Sequence, residues 1–146
     1  MSPEERLAEL AEGRNPALVA RMPSGFLTMG TSQFLPGYCL LLAYPKAGKL
    51  NDLTGEARAQ FLDDMARAGD AVLAATGCQR INYSIYGNLD PFLHAHIWPR
   101  YDWEEERFRT LPPLSIPAEV RDAPDCAFDV AKHSELLERI RHCLGS

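Results

Sequence analysis

The chain has 146 residues, 46% hydrophobic and 24% charged, which is enough apolar material for one core and one domain spanning residues 1–146. No apolar run reaches the roughly eighteen residues of a membrane span, and the acidic start Met1-Ser2-Pro3-Glu4-Glu5 is unlike a secretory leader, so the expectation is a cytoplasmic protein. A formal net charge of −5, with acids and bases interleaved, excludes a broad basic face for nucleic acid; any bound phosphate must be held by a few aimed donors.

In chain order, Ser2-Pro3-Glu4-Glu5 has the pattern of a capped helix start, Pro in the first turn and Glu at the third position, and predicts a short helix over about 3–12 that Gly13 ends. Ala17 to Arg21 and Gly25 to Met29 read as short strands joined at Pro23-Ser24. Cys39 to Tyr44 is nearly continuous in apolar residues between Pro36-Gly37-Tyr38 and Pro45, the mark of a central strand covered on both faces. Asp52 or Thr54 caps a long helix to about Thr76, with Gly77 past its end. Phe61, Met65, Ala68, Val72 and Ala75 give that helix one apolar stripe, suited to covering a sheet. Arg80 to Tyr86 and Leu93 to Arg100 are two further strands around a Gly87-Asn88 turn. Thr110 to Pro124 holds four prolines and is expected to lie over the surface as an ordered tail, before a last helix at about Ser134 to Leu144. This order predicts an α+β fold: a mostly antiparallel sheet with one long helix packed across it.

The chemistry concentrates in Phe92-Leu93-His94-Ala95-His96-Ile97-Trp98-Pro99-Arg100-Tyr101. Side chains alternate along a strand, so His94, His96 and Trp98 share one face while Leu93, Ala95 and Ile97 take the other. Packing seldom needs two neighbouring imidazoles. Such a pair serves either as two metal ligands, which would require a third that the sequence does not offer, or as a nucleophile at phosphorus with a hydrogen-bonding neighbour. The cysteines Cys39, Cys78, Cys126 and Cys143 are scattered with no C-x-x-C pair and read as ordinary core or surface residues. His133 and His142 read as surface residues, and Glu104-Glu105-Glu106 as a solvated face.

The segment from Phe92 to Trp98 resembles the signature of the histidine-triad superfamily, with Phe at the first histidine position, and Pro99-Arg100-Tyr101 is similar to the run in its dinucleoside polyphosphate hydrolase-like members. Pro36-Gly37-Tyr38 resembles the P-G-H strand of that family, and Pro45-Lys46 with Asp52-Leu53-Thr54 its turns before the long helix. The match covers about residues 24–103; the Pro-rich tail and last helix, about 104–146, add little to it.

The resemblance implies a homodimer and a two-step transfer without metal or cofactor. In it His94 attacks an α-phosphorus of a dinucleoside polyphosphate or nucleoside phosphoramidate, and His96 hydrogen-bonds a phosphate or leaving-group oxygen. The main-chain carbonyl of residue 92 is expected to accept the proton of His94 and fix its tautomer, a role that survives the Phe at that position. A degenerate member that binds nucleotide without turnover is the rival within the family.

Asn82, Asn88, Gln33, Trp98 and Arg100 are the substrate-contact candidates, each with an ordinary alternative. For Asn88 and Gln33 the alternative is turn chemistry. For Trp98 it is core packing, and for Arg100 bracing of the strand end through a carboxylate. The family's acidic ribose-holding residue has no counterpart in Met29-Gly30-Thr31-Ser32-Gln33.

Overall fold

The computed structural model of the chain describes residues 1–145. Its centre is an antiparallel sheet of β1 (Leu18–Met22), β2 (Gly25–Met29), β3 (Cys39–Ala43), β4 (Arg80–Ile85) and β5 (His94–Arg100), ordered β1-β2-β3-β5-β4. The continuous apolar run of β3 sits in the middle, as its composition demands. The hairpin of β4 and β5 folds back so that β5 pairs with β3 and β4 becomes an edge.

Two helices cover one face. In α2 (Gly55–Thr76) the residues Phe61, Ala68 and Val72 are buried, with Met65 and Ala75 packed at the margin. They meet Leu41, Ala95 and Ile97 of the sheet, and Leu137 and Ile140 of α4 (Val130–Leu144) close the layer. Helix α2 starts after Thr54, whose side chain makes no capping bond; Asp52 lies in a preceding single 3₁₀ turn. Asp64 of α2 is fully buried because it has work to do: its carboxylate accepts from the Ser24 amide at 2.9 Å, the Ser24 hydroxyl at 2.6 Å and Gln60 at 2.8 Å. The β1–β2 turn is thereby pinned to the helix.

The opposite face is covered only in part. Helix α1 (Pro3–Ala11), with the capping box of Ser2 and Glu5 formed as its sequence implies, lays Leu7 and Leu10 on Phe26, Leu42 and Phe92. The Pro-rich tail is ordered as expected, built from 3₁₀ turns and the four-residue α3 (Ala118–Arg121). Its far end docks on the loop after β2: the Phe128 amide donates to the Thr31 carbonyl at 2.8 Å, and Ser32 bridges Ala127.

Two expectations need correction. The last helix begins at Val130, four residues before Ser134, because Phe128 and Asp129 already anchor the chain there. Glu104 is not on a solvated face; it is 8% exposed and paired to Arg100. Its neighbours Glu105 and Glu106 are exposed as the sequence suggested.

Candidate active site

Strand β5 puts His94, His96, Trp98 and Arg100 in one row on the face away from α2. Pairing extends that row sideways: Leu42 stands opposite His94 and Leu40 opposite His96 on β3, while Ser84, Asn82 and Arg80 of β4 stand opposite His96, Trp98 and Arg100. Leu93, Ala95 and Ile97 are buried in the core on the other face.

Each histidine is fixed through one ring nitrogen. His94 Nδ1 lies 2.9 Å from the Phe92 carbonyl oxygen, which can only accept, so Nδ1 carries the proton and Nε2 keeps its lone pair. His96 Nδ1 lies 2.7 Å from the Tyr38 hydroxyl. Burial raises the Tyr38 phenol well above its ordinary pKa, so it remains a donor. Among the described residues that hydroxyl has no other hydrogen-bond partner, so its proton is assigned to His96 Nδ1, which leaves the proton of that ring on Nε2. Burial, and then the neighbouring His94, push His96 down to about 4, so the ring is neutral at physiological pH. The two rings, centroids 5.2 Å apart, therefore present complementary Nε2 atoms, one a lone pair and one an N–H.

An aromatic stack holds this arrangement. Tyr38 lies on Trp98 at 3.9 Å and 2°, and His96 is parallel to Trp98 at 5.0 Å and 7°. The Trp98 Nε1–H donates to Ser84 Oγ at 2.9 Å. Tyr38 also explains why residue 30 has no side chain: a Cβ on Gly30 would stand 2.3 Å from the Tyr38 ring. The turn before Tyr38 needs glycine as well, since Gly37 has φ +98°.

Gln33 and Arg100 take the bracing roles left open for them. Gln33 is buried; its amide nitrogen donates to the Gly30 and Tyr38 carbonyls at 3.0 and 2.9 Å, and its oxygen accepts from the Gly37 amide at 2.9 Å. Arg100 is 7% exposed and spends all five of its donors inside the protein. They go to both oxygens of Glu104, to Asn82 Oδ1, and to the carbonyls of Phe108 and Leu111, at 2.7–3.0 Å. Neither side chain has a donor left for a ligand. Trp98 is buried in the stack, Asn82 lies half-buried on the histidine face, and Asn88 is exposed in the β4–β5 turn. Phe92 is 1% exposed in the cluster under α1; its carbonyl holds His94 Nδ1, and its ring packs against the His94 ring with centroids 4.7 Å apart.

Sequence reasoning missed Tyr38 as a partner of His96, and missed Ser84 and Glu104. For the first two a parity signal was present, since Tyr38 lies two residues from Leu40 and Ser84 two from Asn82; Glu104, beyond the end of β5, carried none. Among the described residues no three His, Cys, Asp or Glu side chains cluster as metal ligands, so His94 and His96 have no third partner. Among the same residues no helix is long and apolar enough to cross a membrane.

No protein-family model matches the sequence, and no curated protein matches it. Solved structures do. A histidine-triad protein from Sinorhizobium meliloti superposes with a TM-score of 0.71 at 17% identity, over 86% of this chain and 87% of that one. A histidine-triad protein from Bradyrhizobium japonicum gives 0.65 at 23% identity, over 87% and 89%. The fold is the histidine-triad fold. A third protein with it, a hypothetical histidine triad nucleotide-binding protein from Sulfolobus tokodaii, gives 0.71 at 12% identity over 95% and 90%. Within the histidine-triad fold of this chain, the paired Nε2 atoms of His94 and His96 stand on the open sheet face between α1 and the edge strand.

Proposed function

We propose that this chain is a nucleotide-binding phosphohydrolase that works through a nucleotidyl-histidine. The observation that carries the reading is the opposed tautomers of the two histidines. The Nε2 lone pair of His94 is available to form a bond to an α-phosphorus while the bridging P–O bond breaks and its electron pair leaves with the departing oxygen. The imidazolium so formed keeps its Nδ1–H on the Phe92 carbonyl. His96 offers its Nε2–H to a phosphate oxygen as a neutral hydrogen-bond donor. Water then attacks phosphorus, the P–N bond breaks, its electrons return to Nε2, and the water proton passes to solvent. Asn82 and Asn88 are the further phosphate donors in this reading.

A concave cavity of 280 Å³ on the same face suits the nucleoside; it lies between Leu10, Thr28, Leu40 and Phe128, with Leu40 directly opposite His96. The name of the Sulfolobus protein, nucleotide-binding, agrees with that assignment. The edge of β4 is unpaired, and beside it Tyr83 crosses Gly69 between the exposed Leu62 and Leu73 of α2. An unpaired edge next to such apolar side chains fits a second copy of the chain, giving a homodimer.

The test is product formation from diadenosine tetraphosphate and an adenosine phosphoramidate, with chelator present, for the parent protein and His94→Asn. AMP release that disappears in the variant is the expected result, with the active species sedimenting as a dimer. AMP binding by both proteins with no turnover of either substrate overturns the catalytic reading and leaves a nucleotide-binding protein. Activity lost to chelator alone points instead to metal chemistry.

A further inference from the structure

The cavity that suits the nucleoside leaves the histidine row on the side away from the β4 edge. Its floor crosses the sheet in register: His96 faces Leu40 of β3, and Leu40 faces Thr28 of β2. Two strand spacings separate His96 from Thr28, roughly 10 Å at about 4.8 Å each. Helix α1 walls the cavity along its length. The first turn of the helix is tied to the segment after β3 by the ion pair of Glu4 with Lys46. Its far end leads to Asn15, whose Oδ1 accepts from the Ala17 amide at 2.9 Å just ahead of β1. Arg6, early in the helix, lines the stretch of wall that precedes Asn15.

We propose that Arg6 makes this cavity a site for a nucleotide whose ribose carries a second phosphate, on its 2′ or 3′ oxygen. The proposal rests on the reading of the cavity as the nucleoside site and names the class of nucleotide that it takes.

Arg6 is half-buried and is the one charged side chain among the residues that line the cavity. Among the described residues its guanidinium has no hydrogen-bond or ion-pair partner. The acids of its own helix are turned elsewhere: Glu4 to Lys46, Glu5 to the Ser2 amide and Glu12 to Arg14, while Glu9, one turn on, is not paired with it. A cation drawn partly out of water without a counter-charge is costly, and a ligand that brings negative charge offsets that cost. The cavity itself has no carboxylate in its lining. The hydroxyls of a plain ribose donate as well as accept, and the group that commonly holds them is an acid; an arginine in its place suits a ribose phosphate, which only accepts. Asn15 adds the NH₂ of its amide to the same wall. In a chain of net charge −5, the cavity is a local reversal of sign.

The order of groups in a nucleotide agrees. With the α-phosphorus at His94 Nε2, the sugar comes next along the cavity and the base last. Leu40 and Thr28 underlie the first part of that path and Arg6 stands beside it, while Met29, Phe128 and the Asn15 amide remain for the base. A ribose phosphate held by Arg6 lies off the path of the departing group. It therefore governs affinity and the choice of nucleotide, and leaves the bond-breaking step to the histidines.

The experiment is calorimetry of the parent protein and Arg6→Ala with AMP, GMP, adenosine 2′,5′-bisphosphate and adenosine 3′,5′-bisphosphate. Alanine is a good helix former and Arg6 lies outside the apolar cluster under α1, so the variant keeps the fold. One of the two bisphosphates is expected to bind the parent about 10- to 100-fold more tightly than AMP, the worth of a charge-assisted hydrogen bond, and its identity fixes the position of the phosphate. In Arg6→Ala that advantage over AMP is expected to shrink to under about threefold. AMP binding with no advantage for either bisphosphate, or an advantage that Arg6→Ala retains, overturns the proposal and leaves the nucleoside reading standing. A preference for GMP over AMP that Arg6→Ala abolishes, with no preference for a bisphosphate, assigns Arg6 to the base and also overturns it. If none of the four nucleotides binds the parent, the nucleoside reading fails and the proposal falls with it.

Discussion

Tyr38→Phe isolates one atom of the candidate site. The phenyl ring keeps the stack on Trp98 and the close approach to Gly30, so packing is preserved and only the hydroxyl donor is lost. That donor makes the 2.7 Å bond to His96 Nδ1. An acceptor left without its partner in a mostly buried site costs about 1–3 kcal/mol, which a urea midpoint at pH 7 resolves. The functional effect has a different origin. Without the phenol nothing obliges the ring proton to sit on Nε2, and the share of His96 in the donor tautomer falls. A drop to between one half and one tenth lowers kcat about 2- to 10-fold and leaves KM nearly unchanged, because bound substrate is held mainly elsewhere. The direct readout is the pair of imidazole ¹⁵N shifts of His96, which separate under a fixed tautomer and converge under exchange. Unchanged shifts with unchanged kcat would refute the assignment of His96 as an enforced Nε2–H donor.

Two other outcomes follow from the same contacts. Phe92→His places an imidazole among Leu7, Leu10, Phe26 and Leu42 and beside the His94 ring, which lies 4.7 Å from the Phe92 ring between centroids; a loss of about 1–3 kcal/mol in denaturant with no gain in turnover is expected, and a rise in turnover sinks the view that residue 92 serves the reaction through its carbonyl. For His96, the folded-state pKa of about 4 lies below the unfolded value of 6.5, so its contribution to stability is complete above pH 6.5 and declines as pH falls toward 4. Urea midpoints between pH 7 and 4.5 should fall less steeply in His96→Gln than in the parent; parallel curves would contradict this.

Much of this was legible in local pattern. Alternation along His94-Ala95-His96-Ile97-Trp98 placed both imidazoles on one face, and the Phe92 carbonyl partner of His94 is a contact two residues away on the same strand. The contacts that escaped are those between distant positions. Tyr38 and His96 are 58 residues apart and meet only because β3 and β5 are neighbours in the sheet. Arg100 and Glu104 have the i, i+4 spacing of an exposed helix pair, yet lie at a strand end under a folded-back segment, and that segment is what buries them. Gln33 reads as a polar turn residue; its burial follows from the loop closing over it onto the Gly37 amide.

The way Arg100 holds residues 101–113 has a consequence for how this part of the chain can vary. The guanidinium grips the segment through the Phe108 and Leu111 carbonyls, groups that every amino acid possesses. Recognition of that kind follows the path of the backbone and is indifferent to most of the side chains along it. The segment is therefore free to drift in sequence while its path is set by one arginine and one glutamate that must persist or change together.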